Sequence, residues 1–304
     1  MLKLLLNHKI QYVFGIAGVV FILLSMFNVQ DITKLQLTFV TPIKLVPLVT
    51  GVVFIILSFI GNFSHQLTVP LSWTALSKVK NTKEGYETTF DHAKIEVCFG
   101  QIQDYSQFST QDLVVLPAND LFDDKCIHDT RSALGAFMNH FFPNQIYEIC
   151  TLVKEKLPKN IQQVQGVQFG QKQKFEIGTT AYLNSPLNKD MRVAFLATTT
   201  VKENEGIQCE ASDIFKAIKG LHLLMNIERL DTVIIPVIGS GHGGLKPALS
   251  FFCMLVAFAE CLSRSSGHHI KHVRIVIYQK DKNSKPAIPF WQVRRLLAFV
   301  QRYS

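Results

Sequence analysis

The sequence predicts an α/β domain, a mixed and largely parallel sheet flanked by helices, preceded by a two-helix transmembrane hairpin. Three observations predict it. Two long runs near the start, residues 10–29 and 45–63, contain no charged residue. From Ala93 onward, short β-branched runs alternate with longer stretches of helical spacing, the pattern of a sheet covered on both faces. One run, Val233-Ile-Ile-Pro-Val-Ile-Gly-Ser-Gly-His-Gly-Gly-Leu-Lys-Pro247, leads an apolar strand into four glycines within six positions and then at once into a helix.

Each uncharged run matches the roughly 20 residues that a helix needs to cross a bilayer core of about 30 Å. A cleaved signal peptide fits the first run poorly, because Ser25-Met-Phe-Asn-Val-Gln30 lacks small residues at the spacing of a cleavage site. The turn between the runs, residues 28–44, is short, so both chain ends are expected on one side. Lys3, Lys9, Lys78, Lys80 and Lys83 outside the hairpin, against Lys34 and Lys44 within it, favour the cytoplasm for both ends. Gly15, Ala17 and Gly18 would allow close helix packing and hence oligomers, or are simply neutral small residues. The expectation is therefore a membrane crossed twice, with both chain ends in the cytoplasm. The division is residues 1–63 as hairpin, 64–92 as connector and 93–304 as the folded domain.

Composition agrees. Of 304 residues 48% are hydrophobic, and the excess sits at the front. The net charge of +8 comes from basic residues that are scattered rather than interleaved with aromatics, which argues against nucleic acid. The six cysteines form no Cys-x-x-Cys pair, and several lie in apolar patterns, where cysteine acts as a small buried hydrophobe. No metal site is expected; His268, His269 and His272 have no acidic or thiol ligands beside them and read as a solvated loop.

Element by element, Lys94-Ile-Glu-Val-Cys-Phe99 alternates with period two and predicts a strand. Asp112-Leu-Val-Val-Leu116 predicts a buried strand stopped by Pro117. Residues 127–142 and 146–157 have helical spacing, and Pro158 ends the second. Residues 175–183 and 192–198 predict strands around an Asn184-Ser185-Pro186 turn. Ser212 is placed to cap a helix reaching Ile227, with Ile214, Phe215, Ile218, Leu221 and Leu224 on one stripe. Strands follow at 232–238 and 272–278, helices at 245–262 and from Pro289 onward. The connector could contribute a strand at 67–71.

Two strand ends carry candidate chemistry. The 239–244 loop at a helix start is an anion cradle: backbone N–H groups converge, the helix dipole favours negative charge, and glycine permits close approach. Gly239, Ser240, Gly241, His242, Gly243 and Gly244 are its candidates, with Lys246 as a nearby charge; a tight turn is the plainer alternative, and His242 could be an exposed loop histidine. The other is Val114-Val-Leu-Pro-Ala-Asn119, followed by Asp120, Asp123 and Asp124. Asn119 could serve ribose hydroxyls as donor and acceptor, or be a turn-forming Asx residue.

These segments, with Phe99-Gly-Gln-Ile102 ahead of them, resemble macro domains in order and spacing. Two membrane helices before such a domain resemble the macro-type effectors of Thoeris antiphage systems, and Lys174-Phe-Glu-Ile-Gly-Thr179 resembles a strand of that subgroup. The resemblance implies a macro-domain-like fold that binds an ADP-ribose derivative, such as a histidine adduct made from NAD by a partner TIR-domain enzyme. It implies an effector that then disrupts the membrane as an oligomer in abortive infection. It implies that Gln101 and Ile102 meet adenine, Gln101 standing where the family usually has an aspartate. It places Asn119 at the distal ribose, residues 239–244 at the diphosphate, and Asp124 and Cys126 in a first phosphate loop. That loop reads Asp-Asp-Lys-Cys-Ile over 123–127, with none of the glycines of hydrolytic members. A binding protein without cofactor is therefore expected; a membrane-tethered ADP-ribosyl hydrolase, or a reader of ADP-ribosylated partners, is the alternative.

Overall fold

The computed structural model describes residues 27–31, 36–39, 76–105, 112–123, 127–158, 174–202, 206–264 and 269–302, the first two segments as backbone only. The expected spans at 10–29 and 45–63 lie outside the described residues except at 27–29. The chain divides into two units, Met1–Leu71 and Ser72–Ser304. In the first, β1 (Phe27–Asp31) pairs antiparallel with β2 (Gln36–Phe39), Phe27 opposite Phe39; residues 27–29, expected to end the first helical span, are therefore strand, and the rest of the pair lies in the stretch read as a turn.

The second unit is built on nine strands: β3 (Lys80–Asn81), β4 (Gly85–Phe90), β5 (Ala93–Gly100), β6 (Leu113–Asn119), β7 (Thr180–Asn184), β8 (Arg192–Lys202), β9 (Gly206–Gln208), β10 (Thr232–Pro236) and β11 (His272–Tyr278). Their order is β3-β4-β5-β11-β10-β6-β8-β7, with β9 also on β8. The five strands from β5 to β8 run parallel, and the edges β3, β4, β7 and β9 are antiparallel. The helices are α1 (Ile102–Tyr105), α2 (Ala133–Phe141), α3 (Ile146–Lys156), α4 (Ala211–Ile227), α5 (Pro247–Arg264) and α6 (Phe290–Gln301).

Alternation along the central strands sends side chains into two cores. Val114, Leu116 and Ala118 of β6 join Leu134, Phe137 and Met138 of α2 and Ile149 and Val153 of α3. Leu113 and Val115 point the other way, to the face where α4, α5 and α6 pack. Helix α5 is the one described helix long and apolar enough to cross a membrane. Its Phe251, Met254, Leu255, Phe258 and Leu262 are buried in the domain instead, each contributing about 1.5–3 kcal/mol.

The mixed sheet with helices on both faces agrees with the sequence reading; several boundaries do not. The 64–92 stretch is not all connector, because β3 and β4 extend the sheet. The strand stopped at Pro117 continues to Asn119: β6 pairs with β10 only through Leu113 and Val114, so Pro117 has no ladder to break on that side. The helix expected from 127 begins at Ala133, where Ser132 Oγ accepts from Gly135 N–H. The strand expected over 175–183, including the 174–179 segment resembling a family strand, begins only at Thr180. There Gly178 takes φ +96°, and a Cβ on it would lie 2.6 Å from Lys216 O, so the chain turns as it presses on α4. Helix α4 is capped by Glu210, not Ser212, with Asp213 closing a reciprocal capping box. The strand expected to 238 stops at Pro236.

Candidate functional site

Because β6 and β10 stop pairing after Val114 and Ile234, the sheet splits at their C-terminal ends. A cavity of about 440 Å³ occupies the split, inside the roughly 300–1,000 Å³ of small-molecule sites. Its walls are the β5 end and α1, residues 117–119 of β6, Thr198 and Thr199 of β8, residues 236–243 after β10, and the start of α2. In open parallel sheets ligands settle beyond the strand C-termini at such a switch of direction.

The 239–243 loop forms one wall. Gly239 and Gly244 have φ of +76° and +75°, which L side chains rarely adopt. A Cβ on Gly239 would lie 2.6 Å from Cys209 Sγ, and one on Gly243 2.6 Å from Gly239 O and 2.7 Å from Cys209 Cβ. These two glycines are required by packing. At Gly241 a Cβ would meet nothing within 4 Å, so that position faces open space in the cavity wall. Gly244 N–H and Leu245 N–H bond inside the loop, to Gly241 O and Gly239 O, and Gly243 O accepts from Cys209 N–H. Among the described residues the N–H groups of residues 240–243 have no such acceptor. Just behind, Leu249 and Ser250 N–H bond Lys246 O as α5 begins, and the Ser250 hydroxyl donates to Ile238 O. The helix dipole thus adds positive potential to donors already free for an anion.

Asn119 is buried at the cavity floor, and its side chain is engaged. Its Oδ1 accepts from Leu121 N–H at 3.1 Å and Asp123 N–H at 3.3 Å, and its Nδ2 donates to Asp123 Oδ1 at 2.7 Å. It is therefore an Asx turn holding the following loop, with one amide hydrogen left for a ligand. Asp120, 1% exposed, accepts from Val201 N–H at 2.9 Å and lies 3.1 Å from Lys174 Nζ; burial pushes its carboxyl up despite these partners. It fastens the loop rather than facing the cavity.

Gln101 and Ile102 line the far end. The Gln101 side chain is also tied, its Oε1 accepting from Gln103 at 3.0 Å and its Nε2 donating to Lys280 O at 3.3 Å. Beside them Tyr278, half exposed, presents an aromatic ring at the same end.

Across the mouth, His242 Nε2 lies 3.0 Å from Asp129 Oδ2, joining the loops after β10 and β6. Arg131 grips the same carboxylate through Nε at 2.9 Å and a terminal nitrogen at 3.0 Å. That fork, more than the His242 contact, holds the Asp129 carboxyl far below the usual range. His242 is thus an exposed loop histidine, as one reading of the sequence allowed, and it is partnered at the cavity rim.

Of the residues singled out from sequence, Gln101, Ile102, Asn119, Gly239, Ser240, Gly241, His242 and Gly243 surround one cavity. Gly244 and Lys246 stand behind it, shaping the loop and the start of α5. Asp124 and Cys126 lie outside the described residues. Sequence reasoning missed Asp129, Arg131, Thr199, Cys209 and Tyr278; the only local signal was Asp129-Thr-Arg-Ser132 directly ahead of a helix. Among the described residues, Glu84, Glu96 and Cys98 could bring metal-type ligands within 4.8 Å of one another. Glu96, however, already holds His272 at 2.8 Å and Arg274 at 2.9 Å, and burial pushes the Cys98 thiol up to about 12. His272 is accordingly a partnered strand residue rather than part of a solvated loop.

A parallel core with antiparallel edges, split over a glycine-rich loop, is the macro-domain fold class. Solved structures agree on the fold. The Oceanobacillus iheyensis macrodomain with MES bound aligns at 10% identity and TM-score 0.50, covering 72% of this chain and 97% of that one. The same macrodomain with ADP aligns with the same values. No curated protein matches in sequence. Residues 95–278 match the family described as Thoeris protein ThsA, Macro domain, and the chain belongs to that family.

Proposed function

We propose that this protein is a membrane-anchored antiphage effector whose macro domain binds an ADP-ribose-type signal made from NAD by a TIR-domain enzyme. A histidine adduct of ADP-ribose is one such signal. Residues 10–29 and 45–63 cross the inner membrane and place the domain in the cytoplasm; signal binding drives assembly, membrane disruption and abortive infection. The observation that carries the reading is the row of N–H groups at 240–243 that meet no backbone acceptor among the described residues, set before α5 on a cavity of nucleotide size. Such donors suit a diphosphate, and Tyr278 with Ile102 suits a base at the far end. The Oceanobacillus iheyensis macrodomain with ADP, alike in fold, supports a nucleotide ligand here.

Binding without turnover is favoured by residues 123–127, which lack the glycines needed for close backbone approach, and by Asp129, whose carboxylate is occupied by Arg131 and His242. A ligand alters the membrane only through different affinity for two assemblies. The test is dye release from liposomes carrying the full chain. The expected result is release only with signal, steep in protein density, and none from a chain truncated near Ser72 that still binds. No release at saturating ligand and high density overturns the effector reading in favour of a tethered reader. Liberation of ADP-ribose from a modified protein at enzymatic rates overturns it in favour of a hydrolase.

A further inference from the structure

A second groove, adjoining the far end of the cleft where residues 284–290 pass between the two, has its own chemistry. Helix α6 buries Val293, Leu297, Ala298 and Val300, yet carries Phe290 and Trp291 on its first turn, 46% and 61% exposed. The Phe290 ring is 4.3 Å from that of Phe99, which Tyr86 of β4 meets edge-on at 6.3 Å. The Arg295 guanidinium sits over Trp291 at 5.9 Å. Together with Lys285 and Arg294 these rings line one open groove. The segments that build it, residues 76–90 and 279–302, contain nine Lys and Arg against three Asp and Glu, and three of those cations, Lys285, Arg294 and Arg295, line the groove itself. Glu87, one of the three acids, is already paired to Lys94 at 2.9 Å.

We propose that this β3–β4–α6 edge is a docking surface for an anionic lipid bilayer. Rings with an apolar body beside long cationic side chains match the layer between headgroups and acyl chains, and clustered Lys and Arg are drawn to anionic headgroups. Where the chain emerges supports this occupant over others. Leu76 lines the same groove, and Arg294 donates to its carbonyl at 3.5 Å. Twelve residues separate Leu76 from Phe63 at the end of the second uncharged run, a reach of at most about 45 Å. The inference rests on the reading that residues 10–29 and 45–63 span the membrane; the tether then presents this edge to the bilayer at high effective concentration. Docking of the edge would fix how the domain stands on the membrane when signal arrives.

The chain has two tryptophans, so Trp73→Phe in the full-length protein leaves Trp291 as sole reporter. The protein is reconstituted in vesicles containing brominated phosphatidylcholine, with or without one part in three of phosphatidylglycerol. Docking predicts Trp291 emission quenched by the brominated lipid roughly twofold or more in the anionic vesicles only. The double variant Lys285→Glu/Arg295→Glu, both exposed positions, should abolish that difference while leaving ADP-ribose binding unchanged. Equal quenching in both lipids overturns the proposal. So does shielding from both lipid and acrylamide, which would mean the connector fills the groove. Shielding that grows with protein density whatever the lipid charge also overturns it, in favour of a second copy. Alkaline carbonate separates the two levels of the argument. Release of the chain into solution removes the membrane reading and this proposal together, whereas retention with unquenched Trp291 removes the docking surface alone.

Discussion

Replacing Gly241 separates what the glycine loop does for a ligand from what it does for the fold. A Cβ there meets no atom within 4 Å, and its φ lies outside the left-handed region, so Gly241→Glu should fold normally. Stability should change by about 0.5 kcal/mol or less, as at an open surface position. The new carboxylate would stand among the N–H groups of residues 240–243, where the diphosphate is expected. One extra negative charge about 4 Å from a phosphate at an effective dielectric near 20 costs about 4 kcal/mol, or roughly a thousandfold in affinity. Gly241→Gln keeps the bulk without the charge and should lose less. Calorimetric titration of ADP-ribose onto the Ser72–Ser304 unit, alongside thermal melts, reads both effects. Gly243→Ala is the opposite control, since its Cβ would collide with Gly239 O and Cys209 Cβ and should lower the melting temperature. If Gly241→Glu binds like the parent, the loop is only a turn and the reasoning fails.

Three further outcomes follow from the same contacts. Asn119→Ala removes an Asx turn as well as a ligand donor, so it should lose about 1–3 kcal/mol of stability in denaturant melts besides weakening binding; weaker binding with an unchanged melt would mean the turn is not what Asn119 holds. The His272 hydrogen bond, aided by Arg274 and outweighing burial, lowers Glu96 from 4.5 to about 2. Its folded-state value is depressed, so that stabilisation is full above pH 4.5 and lost as pH falls toward 2; Glu96→Gln should flatten the acid limb of a stability profile measured across this window. Burial pushes the Cys209 thiol up to about 12, leaving on the order of one thiolate in ten thousand at pH 8, so mass spectrometry should find Cys209 unlabelled by iodoacetamide in native protein and labelled in urea.

The parts legible in the sequence are those whose signal is local. The 233–247 run encodes strand, turn and helix start within fifteen neighbouring residues, and the structure places its glycines where only glycine fits at 239 and 243. The β5 strand is equally plain from its period-two alternation, and β11 from its apolar β-branched run. Illegible features depend on contacts distant in sequence. Residues 175–179 alternate like a strand, but Gly178 must turn against Lys216 of α4. Residues 85–90 alternate Tyr86, Thr88 and Phe90, yet their polar partners disguised an edge strand. The Asp129–His242 bridge joins residues 113 apart, and Cys209 supports the loop from another segment altogether; neither position carries a local pattern. Asn119 looked equally suited to ribose or to a turn, because its hydrogen-bonding groups serve either, and only the partners at Leu121 and Asp123 decide between them.

The central claim is that backbone amides of residues 240–243 receive a diphosphate. Selective ¹⁵N-glycine labelling of the Ser72–Ser304 unit reports on those amides directly. On titration with ADP-ribose, the Gly241 and Gly243 resonances should move together and saturate at the calorimetric stoichiometry. Gly206, in the β9 hairpin with nothing near its Cβ, should stay in place. Binding that leaves Gly241 and Gly243 unmoved would contradict the account, as would the absence of any binding.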